Sequence, residues 1–116
     1  VSNYAGPMAS GTLFASDKLI ASDPDAIRAF LAAWLETTRF IRTNKAEAVK
    51  LESEITGYPE DVMSKVYDLT VGMFTKDCRF DAESLANLKR SFVDLKVLPN
   101  PPQNMASLYT EAFIPK

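Results

Sequence analysis

The chain has 116 residues, of which 47% are apolar and 24% charged, an ordinary composition for one small globular domain. Its 13 basic and 15 acidic residues give a net charge of −2, which argues against a nucleic-acid binder with a basic face. With no histidine and one cysteine, the sequence excludes an internal Ser-His-Asp or Cys-His catalytic system, a histidine-based zinc site and an internal disulfide. No apolar run approaches the roughly 20 residues that span a bilayer.

The first 22 residues carry turn signals and one short strand pattern. Gly6-Pro7 and Ser10-Gly11 are turn dipeptides, and residues 12–16 have β-forming character. The rest of the sequence offers no second strand, and a lone strand leaves backbone donors and acceptors unpaired. We therefore expect the strand to pair with a second copy of the chain, or with a sheet formed by sequence outside it.

A long helix is predicted after this segment. Asp23 followed by Pro24 is a strong start, because a carboxylate caps the helix and proline occupies its first position. Apolar residues at helical spacing predict that this helix runs to about Thr43. The predicted stripe is Ile27, Phe30, Leu31, Trp34, Leu35, Thr38 and Ile41. On such a stripe, Phe30 and Trp34 are interpreted as core residues rather than as a ligand platform.

A second helix is predicted from Asn44, which has the capping-box spacing to Glu47, and Gly57 is placed to end it. Its predicted inner face is Ala48, Leu51 and Ile55. Pro59 opens a third helix. The inner face predicted for the third helix is Val62, Val66, Leu69 and Met73.

The fourth predicted helix begins after Asp81 as its N-cap. Its apolar stripe is Leu85, Leu88, Phe92 and Leu95. The prolines of 99–102 predict an extended segment. Asn104 then caps a short last helix, which is predicted to carry Met105, Leu108, Tyr109 and Phe113.

Few residues suggest a catalytic or ligand-binding role. Cys78 has no second cysteine, and the adjacent Asp77 should raise its pKa, so a redox role is not favoured. The carboxylates are interpreted as helix-surface and capping groups rather than an acid-base pair: Glu47, Glu52, Glu54, Glu60 and Asp61. Four cations near one helix end could bind an anion, but solvated side chains are the favoured interpretation: Arg39, Arg42, Lys45 and Lys50. No glycine-rich phosphate loop is present. We expect no catalytic residue, metal or cofactor.

The order of the segments is informative. Gly6-Pro7 precedes Gly-Thr-Leu-Phe-Ala-Ser-Asp-Lys-Leu-Ile at 11–20, Asp-Pro-Asp-Ala-Ile-Arg-Ala-Phe at 23–30 and Ala-Ala-Trp-Leu at 32–35. There follow Ile-Arg-Thr-Asn-Lys-Ala-Glu-Ala at 41–48, Thr-Gly at 56–57, Pro-Glu-Asp-Val at 59–62, Arg-Phe-Asp at 79–81 and Leu-Tyr-Thr-Glu-Ala-Phe-Ile-Pro at 108–115. This order resembles the C-terminal part of ABC-transporter solute-binding proteins of the nitrate/sulfonate/taurine type, which are several times longer.

The resemblance implies a mainly α fold, with four to five helices after one short β-strand, as the C-terminal part of a two-lobed α/β periplasmic-binding-protein fold. Residues 1–22 would be a hinge-return loop and strand. Residues 23–116 would be the helical C-terminal segment of the first lobe, and together they would make one partial domain. The implied protein is not an enzyme; it would deliver a small solute, such as a nitrogen or sulfur compound, to an ABC permease by lobe closure.

The resemblance also implies a periplasmic location, with a signal peptide upstream of Val1, and the absence of an initiator Met fits a mature, cleaved or cloned fragment. The expected partners are the solute, bound by the full-length protein, and the permease, with no nucleic acid. A homodimer through the N-terminal strand is also expected.

The family's loop between the Gly-Pro turn and the returning strand lies near the ligand cleft. By position, this points to four ligand-binding residues: Met8, Ala9, Ser10 and Gly11. Ser10 offers a hydroxyl and Gly11 allows close backbone approach, whereas the family's common Thr and aromatic positions are Ala9 and Ser10 here.

Two other classes of function remain open. One is an independent helical protein-interaction domain that docks a partner helix on its Phe/Leu/Met surface. The other is a small enzyme that uses carboxylates or Cys78, which would require a strongly perturbed carboxylate pKa or a reactive thiol.

Overall fold

The computed structural model describes residues 11–98, 100 and 102–116, and this part of the chain is mainly α-helical. Five α-helices follow in order among these residues: α1 Asp17–Ser22, α2 Pro24–Thr43, α3 Lys45–Thr56, α4 Glu60–Thr70 and α5 Ala82–Asp94. Short 3₁₀ helices cover Val71–Met73 and Met105–Leu108. The chain forms two compact units, one joining the segment that ends at Pro24 to Arg79–Phe113, the other comprising Asp25–Cys78 and Ile114–Lys116.

The strand predicted at 12–16 is wrong. These residues have no regular secondary structure, and the described part of the chain contains no strand that could pair with them. The sequence turns instead into α1, because the Ser16 hydroxyl accepts a hydrogen bond from the Leu19 backbone N–H at 3.2 Å and caps the helix. The predicted homodimer through this strand therefore has no strand to carry it in the described residues.

The second unit contains most of the described core. Its buried cluster consists of Ala48, Val49, Met63 and Tyr67, and Ile41 and Val71 pack against it. The Tyr67 hydroxyl donates a hydrogen bond to the Ile41 carbonyl at 2.7 Å. Tyr67 thus fills the space between α3 and α4 with its ring and joins α4 to α2 with its hydroxyl.

Helices α3 and α4 form an antiparallel hairpin with a short connection. Gly57 ends α3 in the left-handed conformation (φ 77°), as predicted from its position after the helix. The Ser53 hydroxyl donates to the Tyr58 carbonyl at 2.6 Å and fixes the turn. The capping box predicted at Asn44 is wrong, because the Asn44 side-chain amide donates back to the Phe40 carbonyl at 3.0 Å and caps no N–H of α3.

The first unit is arranged around α5. The Asp81 carboxylate accepts a hydrogen bond from the Ser84 N–H at 2.8 Å, which confirms the predicted N-cap and lowers the pKa of Asp81. The Glu111 carboxylate accepts from the Arg79 guanidinium at 2.6 Å and from the Phe80 N–H at 3.2 Å. These bonds tie the start of α5 to the C-terminal region of the chain.

The last predicted helix is shorter than expected. Asn104 caps it, but it is a 3₁₀ helix that ends at Leu108, with Met105 buried. Tyr109 and Phe113 lie in the irregular segment beyond it. Tyr109 instead packs its ring against Phe80, with ring centroids 4.6 Å apart.

The Tyr67 hydrogen bond can be tested with a matched pair of variants. Tyr67→Phe keeps the ring but removes the donor to Ile41, and should lower the free energy of unfolding by about 1 kcal/mol. Tyr58→Phe is the control, because Tyr58 is 61% exposed and should change stability little. Urea unfolding midpoints measure both, and equal midpoints for the two variants would contradict the role assigned to Tyr67.

Candidate interaction surface

The four residues predicted to bind a ligand are barely represented in the described structure. Met8, Ala9 and Ser10 lie outside the described residues. Gly11 is exposed, and a Cβ built on it would meet no atom within 4 Å, so no close backbone approach requires glycine there. Ligand binding by these four residues remains a prediction.

The groups considered for acid-base chemistry all stand on the surface of the α3–α4 hairpin. The five carboxylates are exposed: Glu47, Glu52, Glu54, Glu60 and Asp61. Within the described part of the chain, no three His, Cys, Asp or Glu side chains are grouped to hold a metal ion. Nothing in this arrangement desolvates a carboxylate pair, which is what acid-base catalysis uses to tune a pKa.

Two of the four cations that were considered for anion binding, and interpreted as solvated side chains, have structural partners. Arg42 donates to the carbonyls of Val71 and Phe74, at 3.5 and 2.9 Å, beside the 3₁₀ helix that follows α4. Lys45 Nζ lies 2.6 Å from an Asp68 carboxylate oxygen and 5.5 Å from the centre of the Tyr67 ring. These contacts hold α2 and the start of α3 against α4 and its continuation.

Phe30 and Trp34 stack on α2, with ring centroids 6.3 Å apart and planes 17° from parallel. Trp34 is half-buried, whereas Phe30 is 55% exposed. The prediction that Phe30 belongs to the core is therefore wrong.

One side of the hairpin carries charged side chains around an open groove. The groove has a volume of about 520 Å³ and is lined by Lys45, Ala46, Val49, Glu60, Asp61 and Ser64. A groove that is wide open to solvent and bears charges of both signs leaves most of a small molecule wet, whereas ligand pockets usually bury most of their ligand. We therefore assign no ligand to this side.

The inner face predicted for α4 is wrong. Met63 and Tyr67 are the buried residues of this helix, at 7% exposure each, while Val62, Val66 and Leu69 are exposed. Met73, which completed the predicted stripe, is exposed as well. With 3.6 residues per turn, the row of Val62 and Val66 lies about a quarter-turn around the helix from Met63 and Tyr67. The helix thus buries one apolar row and leaves a second partly exposed, most of all at Leu69.

Helix α3 shows the same division. Ala48 is buried as predicted, together with Val49, but Leu51 and Ile55 are exposed. Ile55 stands out, since 83% of it is open to solvent. The predicted inner face of α3 is therefore correct for Ala48 alone.

The two exposed rows lie on the same side of the hairpin. Residues rotated in the same sense from the line of contact between two antiparallel helices share one side of the pair. Val49 and Ser64 are rotated toward the open groove, and Ile55 and Val66 are rotated the other way. We call this second side the hairpin face and define it by its exposed apolar residues: Leu51, Ile55, Val62, Val66 and Leu69.

The hairpin face has a composition that interaction surfaces commonly share. Single apolar residues on a surface are common, whereas larger exposed apolar patches often mark contact sites. None of the described helices is both long enough and apolar enough to cross a membrane. The sequence contained the signal for this face, since Leu51 and Ile55 on α3, and Val62, Val66 and Leu69 on α4, repeat at helical spacing. That spacing is the same for a core and for a docking surface.

Comparisons with protein-family models, with curated proteins and with solved structures found no match to this chain.

Cys78 lies on a strained turn. Its φ of 58° is left-handed, and its N–H donates to the Thr75 hydroxyl at 2.8 Å. Partial burial raises the pKa of the thiol, and the negative charge of Asp77 raises it further. The second cause confirms the direction expected from the sequence. A raised thiol pKa lowers the fraction of reactive thiolate at neutral pH.

This environment predicts slow alkylation. Iodoacetamide should modify Cys78 more slowly at pH 8 than it modifies the unfolded chain, and Asp77→Asn should speed the reaction a few-fold because it removes one cause of the raised pKa. Asp94→Asn, a carboxylate change on α5 in the other compact unit, is the control and should leave the rate unchanged. A Cys78 thiol that reacts faster when folded than when unfolded would contradict this assignment.

Proposed function

We propose that this chain functions by protein contact, through its hairpin face, rather than by catalysis. The observation that carries the proposal is the exposure of two apolar rows on adjacent helices, with Ile55 at 83% and Leu69 at 82%. The five carboxylates considered for acid-base chemistry are solvent-exposed, and the pKa of the Cys78 thiol is raised, which favours the same conclusion.

Burial of the hairpin face against a partner is energetically favourable. Full burial of a leucine, isoleucine or valine side chain is worth about 1.5–3 kcal/mol relative to exposure. The most exposed members, Ile55 and Leu69, would each recover a large part of that amount on docking. Such gains are of the size that a few central residues contribute to a protein interface.

The shape of the face favours a helical partner. Leu51 and Ile55 form a row on α3, and Val62, Val66 and Leu69 form a row on α4. Two parallel rows of side chains leave a groove between them, into which the ridge of an amphipathic helix can pack. The independent interaction domain considered from the sequence is thus the function that the geometry supports best, with a different surface from the one expected.

Photo-crosslinking in the source cell tests this proposal. A photoreactive phenylalanine analogue at Leu69 should give a covalent adduct with a partner protein, because this position points from the hairpin face. The same analogue at Ser64, beside the open groove on the opposite side of the hairpin, is the matched control on the same helix and should give little adduct. Equal yields at the two positions, or none at Leu69, would contradict docking through the hairpin face.

The solute-binding role implied by the resemblance is a second proposal. In it, the chain is the helical C-terminal segment of a two-lobed α/β binding protein, and the rest of the first lobe covers the hairpin face. The exposed rows of α3 and α4 support this arrangement too, because helices in α/β proteins pack their apolar faces against a sheet. The solute, the permease and the periplasmic location belong to this proposal.

Cell fractionation separates the two proposals. An antibody to Lys45–Thr56 would be used on osmotic-shock and cytosolic fractions, with known periplasmic and cytosolic proteins as fraction controls. The solute-binding proposal predicts a periplasmic species several times heavier than the 12.8 kDa of this chain. A cytosolic species near 12.8 kDa would contradict it and leave the interaction domain.

A further inference from the structure

We propose that the partner of the hairpin face is a second copy of this chain, so that two α3–α4 hairpins stack into a four-helix bundle. This inference rests on the proposed docking function of that face. It uses a different element from the homodimer expected through residues 12–16, which form no strand.

The apolar residues lie at heights along the helix axes that are compatible with a two-fold symmetry axis parallel to the helices. The Thr56 hydroxyl lies 3.6 Å from the Met63 sulfur across the hairpin, which sets the register of α3 against α4. With a rise of 1.5 Å per residue, this register places Ile55 within about one helical turn of the height of Val62. A two-fold axis parallel to the helices preserves height and lays α3 of one copy over α4 of the other.

Each apolar row then meets the opposite row. Ile55 of one copy faces Val62 of the second copy, and Leu51 faces Val66 at a lower level of the bundle. Leu69 covers the end of the interface near Ala48. All of these contacts form twice, because an isologous interface repeats each contact by symmetry.

The charges along the edges of the hairpin face are complementary under the same symmetry. The outer edge of α3 carries Glu47 and Glu54, and the outer edge of α4 carries Lys65; all three are exposed. Lys65 has only a long contact within the hairpin, 4.0 Å to Asp61. Laying α3 of one copy over α4 of the other brings the acidic edge of α3 beside Lys65 of α4. Glu54 of each copy then approaches Lys65 of the other copy, once on each side of the bundle.

The two-fold symmetry limits the assembly to two copies. An isologous interface uses the same face of both copies, so each hairpin face closes on a single partner. The open groove with Lys45, Glu60 and Asp61, and the Lys45–Asp68 ion pair, lie on the opposite side of the hairpin, outside this interface.

Sedimentation of the purified chain tests the inference, at concentrations up to about 1 mM. The wild-type chain should form a dimer, and Ile55→Lys should weaken it at least about tenfold, because it places a charge inside the interface, opposite Val62. Val93→Lys is the matched control, since Val93 is also apolar and 56% exposed but lies on α5; it should dimerise like the wild type. Circular dichroism verifies that each variant keeps its helices.

A charge exchange tests the symmetry. Glu54→Lys and Lys65→Glu should each weaken the dimer a few-fold by placing like charges together, and the double variant should restore it. Dimerisation that is indifferent to Ile55→Lys, or a double variant weaker than both single variants, would overturn the proposed arrangement.

The outcomes also separate this inference from the function on which it rests. A chain that stays monomeric at every concentration overturns the second copy as partner. If the photoreactive group at Leu69 nevertheless captures a different protein, docking through the hairpin face stands without self-association. If that position captures nothing in the cell and the chain stays monomeric, both proposals fall together.

Discussion

The second unit depends on a single side chain, Tyr67. Its ring lies in the cluster with Ala48, Val49 and Met63, and its hydroxyl donates to the Ile41 carbonyl on α2. A buried phenol needs such a partner, because a hydroxyl desolvated without a hydrogen bond loses the bonds it made to water. The position of Tyr67 therefore fixes both the face that α4 turns toward α3 and the place where α2 meets the hairpin.

That constraint has a consequence for the rest of α4. Once Met63 and Tyr67 face α3, the row of Val62, Val66 and Leu69 lies a quarter-turn away and is covered only in part, with exposures of 38%, 36% and 82%. Helix α4 carries apolar residues on two faces, and a hairpin of two helices can bury only one of these faces. The hairpin face is thus a direct result of the burial of Tyr67.

The limits of sequence analysis follow from the same helix. The start at Pro24, the left-handed Gly57 and the Asp81 cap were all predictable, because each depends on local backbone chemistry that a few adjacent residues determine. The choice between the Val62 row and the Met63 row was not, since both repeat at helical spacing and tertiary contact decides between them. The candidate surface was recognisable in the sequence as an apolar row, but its spacing predicted a core face rather than an exposed one.

The error at 12–16 has another physical origin. A short β-forming run becomes a strand only when a neighbour satisfies its backbone groups, whereas the Ser16 hydroxyl satisfies a donor of α1 within its own segment. Phe14 remains 96% exposed as a result. The same competition between local hydrogen bonds and long-range contacts governs the hairpin. Its helices satisfy their backbone groups locally, whereas part of its apolar surface stays exposed. Because stability is a small difference between large terms, a unit with four residues in its described buried cluster gains much from each side chain that a partner covers. Docking through the hairpin face would therefore stabilise the fold as well as form the complex.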